Sequence, residues 1–239
     1  MLKTLIAGLA LASSWTWIIG MYLPRIMMER HGWAGFLAFA VPNVIGCTAF
    51  GFVLRKPGAA TALRTQIEGE AKWFSSATIA FHVLFAVFLV KSLLGEDGLS
   101  VPQSEAPVAA GAFLGAALLL SLLPKSVFPW LGALVWVGSI TLFGLRADTP
   151  ITSAAPCDLN ALWSLPLFTA GLLICPYLDL TFHEVRRSAH HAAFGIFGVA
   201  FALMLLLTVV IWMGDGPRLG PWVLGHLVGQ ALFTTSWHL

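Results

Sequence analysis

The sequence predicts an all-α, polytopic membrane protein, and both its composition and its long apolar runs point to this class. Of 239 residues, 58% are hydrophobic and 10% are charged, whereas an average soluble domain has about 45–50% apolar and about 25% charged residues. A single soluble domain could not bury so much apolar surface, because folded domains keep a polar exterior. The apolar runs are continuous, which disfavours a β-barrel. Nucleic-acid binding is excluded because it needs clustered Lys and Arg.

Eight apolar stretches are long enough, or nearly long enough, to cross a bilayer as helices. A hydrocarbon core of about 30 Å needs about 20 helical residues. No linker is long enough to separate a second domain, so residues 1–239 are predicted to form one transmembrane helical domain. The stretches are Thr4–Leu23, Trp33–Leu54, Trp73–Leu94, Val108–Leu123, Val127–Leu145, Ala161–Phe182, Ala192–Met213 and Leu219–Trp237.

The fourth stretch, Val108–Leu123, is the weakest of the eight. It is about one turn shorter than a full span, and only Pro124–Ser126 connect it to the fifth. The two stretches are therefore expected either to form a close hairpin or to include a re-entrant segment. The first stretch, Thr4–Leu23, is too long for the apolar part of a signal peptide, and we interpret it as an uncleaved helix.

Basic residues in the loops predict the orientation. With eight spans, the side that holds both termini carries eight of the 13 Lys and Arg residues, and the other side carries five. Positively charged loops stay in the cytoplasm, so both termini are expected there, in a membrane that we interpret as a bacterial inner membrane. The longest polar stretch on that side, Arg55–Ala71, fits either a short interfacial helix or a solvated loop.

Polar side chains inside the first two spans are candidates for a binding site. Ser13, Ser14 and Thr16 surround Trp15 at mid-depth. Their hydroxyls can bond to the preceding turn, or can bind an ion or solute if the helix unwinds. In the second span a proline removes a backbone hydrogen bond, which the adjacent Asn43 can replace. Small polar residues are also common where membrane helices pack, so binding and packing both remain open.

The sixth span carries the strongest local signal. Pro176 is expected to break the helix, and Tyr177 and Asp179 follow it within three residues. Asp179 and His183 are four residues apart and can pair on one helix face. An acidic residue near a broken span is a functional candidate. The alternative is a helix end that emerges into water, where Asp179 and Glu184 balance nearby arginines.

Other chemistry has little support in the sequence. His82 and His226 lie well inside spans and could ligate a haem, although such residues more often bond between helices. Three cysteines, Cys47, Cys157 and Cys175, lack a metal-type spacing and give no disulfide framework. The sequence contains no Ser/His/Asp triad, HExxH motif or phosphate loop. We therefore do not expect an enzyme.

Three runs near the N-terminus carry a family resemblance. They are Ser13–Leu23 (SSWTWIIGMYL), Arg30–Phe36 (RHGWAGF) and Val41–Gly46 (VPNVIG). Together they resemble the opening of the sodium/solute symporter family, where a first helix with small, hydroxyl and aromatic residues leads through a turn into a Gly-rich helix. That family has a five-plus-five inverted-repeat fold, in which the first and sixth core helices are broken at the binding site. The family fold has ten core helices, whereas eight are predicted here.

The resemblance implies a sodium site and a solute site. The implied Na⁺ ligands are backbone carbonyls near Ala12–Trp15 together with the hydroxyls of Thr234 and Thr235. The first span is expected to unwind near Ser13–Trp17, the sixth to bend near Pro176, and the two points to face each other. The residues expected to bind substrate are Ser13, Ser14, Trp15, Thr16, Asn43, Tyr177 and Asp179.

Three functions are compatible with these sequence features. The first is a compact transporter that binds a small solute with Na⁺. The second is a non-transporting membrane subunit or sensor-type domain, with a membrane-protein partner or as a homo-oligomer. The third is a haem- or pigment-binding subunit. All three are in contact with the lipid bilayer.

The predicted topology can be tested by labelling. We expect single cysteines introduced in Gly95–Pro107 and in Ala147–Asn160 to react with a membrane-impermeant reagent from outside the cell. The reason is the excess of basic residues on the other side of the membrane. Labelling of both loops only from the cytoplasmic face would reverse the orientation.

Overall fold

A computed structural model describes residues 1–16, 18–95, 105–145, 155–214 and 221–239. This part of the chain forms ten α-helices and one 3-10 helix and contains no strand, which confirms the all-α prediction. Most of the two loops predicted to face outward, and Trp17, lie outside the described residues. The helices are α1 (Leu2–Trp15), α2 (Ile18–Val53), α3 (Ala59–Gln66), α4 (Glu68–Gly95), α5 (Ala106–Ser121), α6 (Phe128–Gly144), α7 (Leu165–Leu178), α8 (Leu180–Ser188), α9 (Ala192–Gly214) and α10 (Pro221–His238), and the 3-10 helix is Leu159–Ser164.

The apolar helices make this a membrane protein. Within the described residues, four helical segments are long and apolar enough to cross a bilayer, while α1, α5 and α6 contribute shorter apolar helices. The helices in the structure do not match the eight predicted stretches one to one. Some predicted stretches are interrupted, and others are parts of one longer helix. The four long segments are Gly20–Val53, Glu68–Phe88, Leu159–Leu178 and Ala192–Val210.

The first predicted span, Thr4–Leu23, is interrupted near Ser13–Trp17 as expected. The chain leaves the helix after Trp15 and re-enters it at Ile18. From there α2 continues to Gly32, through the segment that separates the first two predicted spans. The polar residues there are compatible with a helix, because the Arg25 Nε lies 2.6 Å from the Glu29 Oε1 one turn further on.

Gly32 marks the one strong kink in α2. Its φ of 60° and ψ of −150° are open to glycine but strained for other residues. A Cβ at this position would also collide with the backbone carbonyl oxygens of Ala155 and Pro156. The loop that ends before α7 therefore packs directly on the kink.

A side-chain contact holds this loop in place. The Nδ1 of His31 donates to Oδ2 of Asp158 over 2.9 Å, and the Asp158 backbone N–H donates to the His31 carbonyl over 3.1 Å. The hydrogen bond from His31, followed by one from the Asn160 backbone, keeps the pKa of Asp158 below its usual value. The loop is thus fastened by both its backbone and its carboxylate.

The close hairpin considered for the fourth and fifth stretches is not formed. Instead, α5 packs mainly against α4 and α10, whereas α6 packs against α1 and α10. The approach of α6 to α1 depends on Gly132, where a Cβ would meet the backbone and side chain of Ala10. Small residues let membrane helices come this close.

The stretch Arg55–Ala71, which the sequence predicts to lie on the cytoplasmic side, contains the short helix α3, so it is not only a solvated loop. Its neighbourhood is fixed by Arg186 on α8, whose guanidinium donates to the carbonyls of Leu54 at 2.9 Å and Arg55 at 2.5 Å. These carbonyls end α2 and have no helical partner of their own. Arg186 therefore joins α8 to the end of α2.

The centre of the fold has a reciprocal arrangement. Both α1 and α7 have 14 residues, and each is followed by a break and then by a further helix. α1 packs on α9, α7 packs on α2, and α2 and α9 pack on each other. The core between them is rich in aromatic rings, among them Phe50, Phe182, Phe194, Phe197 and Phe201.

Gly32 provides a test of the kink. We expect Gly32→Ala to lower the stability of the protein by about 1–3 kcal/mol, because alanine is strained at this φ and its methyl group would push the loop away. Thermal unfolding in detergent measures the change. Gly69→Ala in α4 is the matched control, since its Cβ would enter open space and alanine favours a helix. Equal unfolding temperatures for the two variants would contradict this account.

Candidate functional site

Two helix breaks lie at the centre of the candidate site. α1 ends at Trp15, and Thr16 follows with φ −77° and ψ 52°. α7 ends at Leu178, and Asp179 is extended, with φ −84° and ψ 116°. The second break was predicted at Pro176, but this residue lies inside α7 and the chain leaves the helix three residues later. Asp179 explains the position, because its carboxylate caps α8 by accepting the Thr181 backbone N–H at 2.7 Å.

The two breaks face each other, which confirms that expectation. The Ser14 hydroxyl donates to the Thr181 Oγ1 over 3.3 Å. The rings of Trp15 and Phe182 meet edge to face with their centroids 4.9 Å apart. The end of α1 therefore lies directly against the start of α8.

Helix α10 covers the open end of α1. The Thr234 hydroxyl donates to the Ser14 carbonyl at 3.0 Å and lies 3.4 Å from the Ser13 carbonyl. These carbonyls belong to the last turn of α1, where helical partners are absent and the helix dipole is negative. Thr235, predicted as a second ligand, instead donates to the Ala231 carbonyl of its own helix at 2.8 Å. The structure thus brings Thr234 to the predicted carbonyls and directs the Thr235 hydroxyl along its own helix.

Asp179 is buried, with 2% of its surface exposed. Its Oδ1 accepts from both the backbone N–H and the hydroxyl of Thr181, at 2.7 and 2.6 Å. Its Oδ2 lies 3.6 Å from Nε2 of His238, and Nδ1 of His238 lies 3.0 Å from the Ser75 hydroxyl. A polar chain therefore runs from Ser14 through Thr181 and Asp179 to His238 and Ser75.

The predicted pairing of Asp179 with His183 is wrong. Because α8 begins after Asp179, the two residues do not share a helix face. The two ring nitrogens of His183 lie instead 3.0 Å from the Ala60 carbonyl and 2.8 Å from the Tyr177 carbonyl. Both ring nitrogens therefore face carbonyl acceptors, which places His183 between α3 and the end of α7.

The remaining predicted residues form one group around the breaks. Ser13 donates to the Gly132 carbonyl at 2.8 Å, and the Trp15 indole donates to Asn43 at 2.9 Å. Thr16 donates to the Ala12 carbonyl at 2.6 Å, so its hydroxyl closes the last turn of α1. Tyr177 lies at the edge, where its ring packs on Phe50.

Sequence reasoning missed His238, Thr181 and Ser75. The available signal for His238 was its spacing, since His226, Gln230, Thr234 and His238 recur every four residues and share one face of α10. Its proximity to Asp179 depends on how α10 crosses α8, which no local pattern contains. Taken together, carbonyl and hydroxyl oxygens beside a buried carboxylate are suited to a small cation.

The two histidines considered for haem have other partners. His82 Nδ1 donates to the Thr78 carbonyl of its own helix at 2.7 Å. His226 lies between the hydroxyls of Ser139 and Thr208, at 3.0 and 3.4 Å. Among the described residues, no group of three or more His, Cys, Asp or Glu side chains is placed to hold a metal ion. A sodium site made of carbonyls and hydroxyls does not use those side chains.

Comparisons with known protein families, curated proteins and solved structures gave no match.

The capping role of Asp179 can be separated from its charge. We expect Asp179→Ala to lower stability by about 0.5–2 kcal/mol, because α8 loses its cap, while Asp179→Asn retains most of it. Thermal unfolding provides the measurement. Asp158→Ala is the control, since Asp158 caps the 3-10 helix but is more exposed. This substitution should lower the stability less than Asp179→Ala does. An Asp179→Ala variant as stable as the parent would show that the cap does not fix the break.

Proposed function

We propose that this chain is a membrane protein of the secondary-transporter type that binds Na⁺ at its paired helix breaks. The single observation that carries this proposal is the position of Thr234, whose hydroxyl lies against the carbonyls of Ser13 and Ser14 at the open end of α1. Unwound carbonyls and helix C-terminal ends are the groups that coordinate sodium in broken-helix transporters.

The electrostatics of the site favour a cation. The end of α1 contributes a partial negative charge, and the carboxylate of Asp179 is two hydrogen bonds from Ser14 through Thr181. Thr234 supplies a neutral oxygen, so a monovalent cation would balance one buried negative charge. The site is built from direct contacts between side chains, which suits an ion better than an organic solute.

The reciprocal packing supports a kinship with inverted-repeat transporters. The units α1–α2 and α7–α9 each contain a 14-residue helix, a break and a long helix, and each unit packs its first helix on the last helix of the other. Such pairs place a binding site at the repeat interface. We also propose that the protein is of the sodium/solute symporter type. We propose that it lies in a bacterial inner membrane with both termini in the cytoplasm.

A non-transporting membrane subunit is the second candidate. Its support is that Ser13, Thr16 and Asn43 already use their polar atoms in hydrogen bonds with neighbouring helices or with their own turn. Groups satisfied in this way stabilise helix packing without any ligand.

Sodium-dependent unfolding tests the proposed site. We expect Na⁺ to raise the unfolding temperature of the purified protein relative to K⁺ or choline at equal ionic strength. A ligand at 100 times its dissociation constant adds about 2.7 kcal/mol to the stability. Thr234→Val should abolish the effect, because it removes the site hydroxyl and keeps the shape. Thr235→Val is the matched control and should retain it, since that hydroxyl serves its own helix.

The outcomes separate the two candidates. No sodium effect in the parent protein would favour the non-transporting subunit, and an effect that survives Thr234→Val would place the ion elsewhere. Exchange of radioactive sodium across the membrane of reconstituted vesicles then distinguishes transport from binding alone.

A further inference from the structure

A second buried polar cluster lies on α10, away from the helix breaks. His226 and Gln230 occupy the same face of α10 as Thr234 and His238, and they are 1% and 0% exposed. The four residues span about 18 Å at 1.5 Å per residue. Polar residues buried inside a membrane domain are costly, so such a continuous face is a functional candidate.

The hydrogen bonds of this cluster have a definite direction. The Gln230 amide donates to the Ser139 hydroxyl over 2.9 Å, and the Thr208 hydroxyl donates to the Met204 carbonyl over 2.7 Å. The Ser139 hydroxyl is then left to donate to Nδ1 of His226, 3.0 Å away, and Nε2–H of His226 points to Thr208, 3.4 Å away. The imidazole therefore accepts on one side and donates on the other.

Gln230 leaves one polar atom without a partner. Its Nε2 is used by Ser139, and its buried Oε1 has no hydrogen-bond partner among the described residues. Turning the amide round would only exchange the two atoms, so one would still lack a partner. An orphaned buried polar atom costs about 1–3 kcal/mol unless a small molecule pairs with it. Water satisfies such groups in protein interiors.

We propose that His226 is a proton relay between α6, α9 and α10, fed by a water molecule bound at Gln230. The water passes a proton to the Ser139 oxygen, which passes its own proton to Nδ1 of His226. The imidazole releases the proton on Nε2 to the Thr208 oxygen, whose own proton moves to a further water. Ser139, His226 and Thr208 each gain one hydrogen and lose another, so their charges do not change, while the excess proton arrives on the first water as hydronium and leaves on the second.

The chemistry of the side chains fits this role. Imidazole is the side chain that can accept a proton at one nitrogen and donate from the other near neutral pH. The hydroxyls of Ser139 and Thr208 rotate and can reverse their donor direction after each transfer. His226 is about one and a half turns from Pro221, where α10 begins, and the same face continues inward to Thr234.

Proton flux into vesicles tests the relay. The full protein is reconstituted into vesicles of phosphatidylethanolamine and phosphatidylglycerol that contain a pH-sensitive dye, in sodium-free potassium buffer. Valinomycin holds the membrane potential at zero while an external acid pulse is applied. We expect the parent protein to dissipate the pH difference faster than protein-free vesicles, and His226→Gln to return the rate to that of protein-free vesicles. Glutamine retains hydrogen bonding but cannot accept and release a proton.

Two further variants distinguish a relay from packing. Gln230→Leu removes the orphaned atom and should slow the flux without lowering the unfolding temperature, because leucine replaces a costly buried acceptor. His82→Gln changes another fully buried histidine and should keep the parent flux, since His82 bonds to its own helix. Ser139→Ala tests the entry step if His226→Gln does not fold.

The proposal is overturned if the parent is no faster than empty vesicles, or if the His226 and Gln230 variants conduct like the parent. Because the assay contains no sodium, its outcome is independent of the sodium site.

Discussion

The structure depends on one constraint, which is that backbone polar groups inside a membrane must be satisfied within the protein. Ending a helix in the interior, as α1 does at Trp15, leaves carbonyls without partners. The fold meets this demand with side chains, because Thr16 closes the turn onto Ala12 and Thr234 reaches the Ser14 carbonyl. The same neutral oxygens that resolve the break are those that a cation would use. Structural repair and the proposed cation site would therefore use the same atoms.

The second break follows the same rule with different chemistry. Asp179 satisfies one N–H group in the first turn of α8, that of Thr181, with a carboxylate, and this introduces a charge that lipid alone could not tolerate. The charge is accepted because Thr181 bonds to one oxygen and His238 lies near the other. Helix α10 thus has contacts with both breaks, to α1 through Thr234 and to α7–α8 through His238. The polar face of α10 explains how this one helix can contact both breaks.

Local patterns predicted the membrane class and the two breaks, because each depends on residues close in sequence. Hydroxyls around Trp15 and a proline near Asp179 are enough to indicate an interrupted helix. The segment Pro24–Gly32, which lies between the first two predicted spans, is mostly helical, and the Arg25–Glu29 ion pair runs along this helix. The partners of Asp179 could not be predicted in this way. His238 follows it by more than fifty residues, and only the crossing of two helices brings the imidazole to the carboxylate.

The attachment of α8 has a mechanical consequence. Arg186 connects α8 to the end of α2, and His183 connects it to Ala60 on α3. In contrast, α7 presents large apolar side chains such as Leu167 and Ile174 to its surroundings and has few neighbours beyond α2. A sideways force on α7 would therefore turn it as a lever, while α8 stayed attached to α2 and α3. The extended residue Asp179 would act as the pivot, so bending would be concentrated at a buried carboxylate.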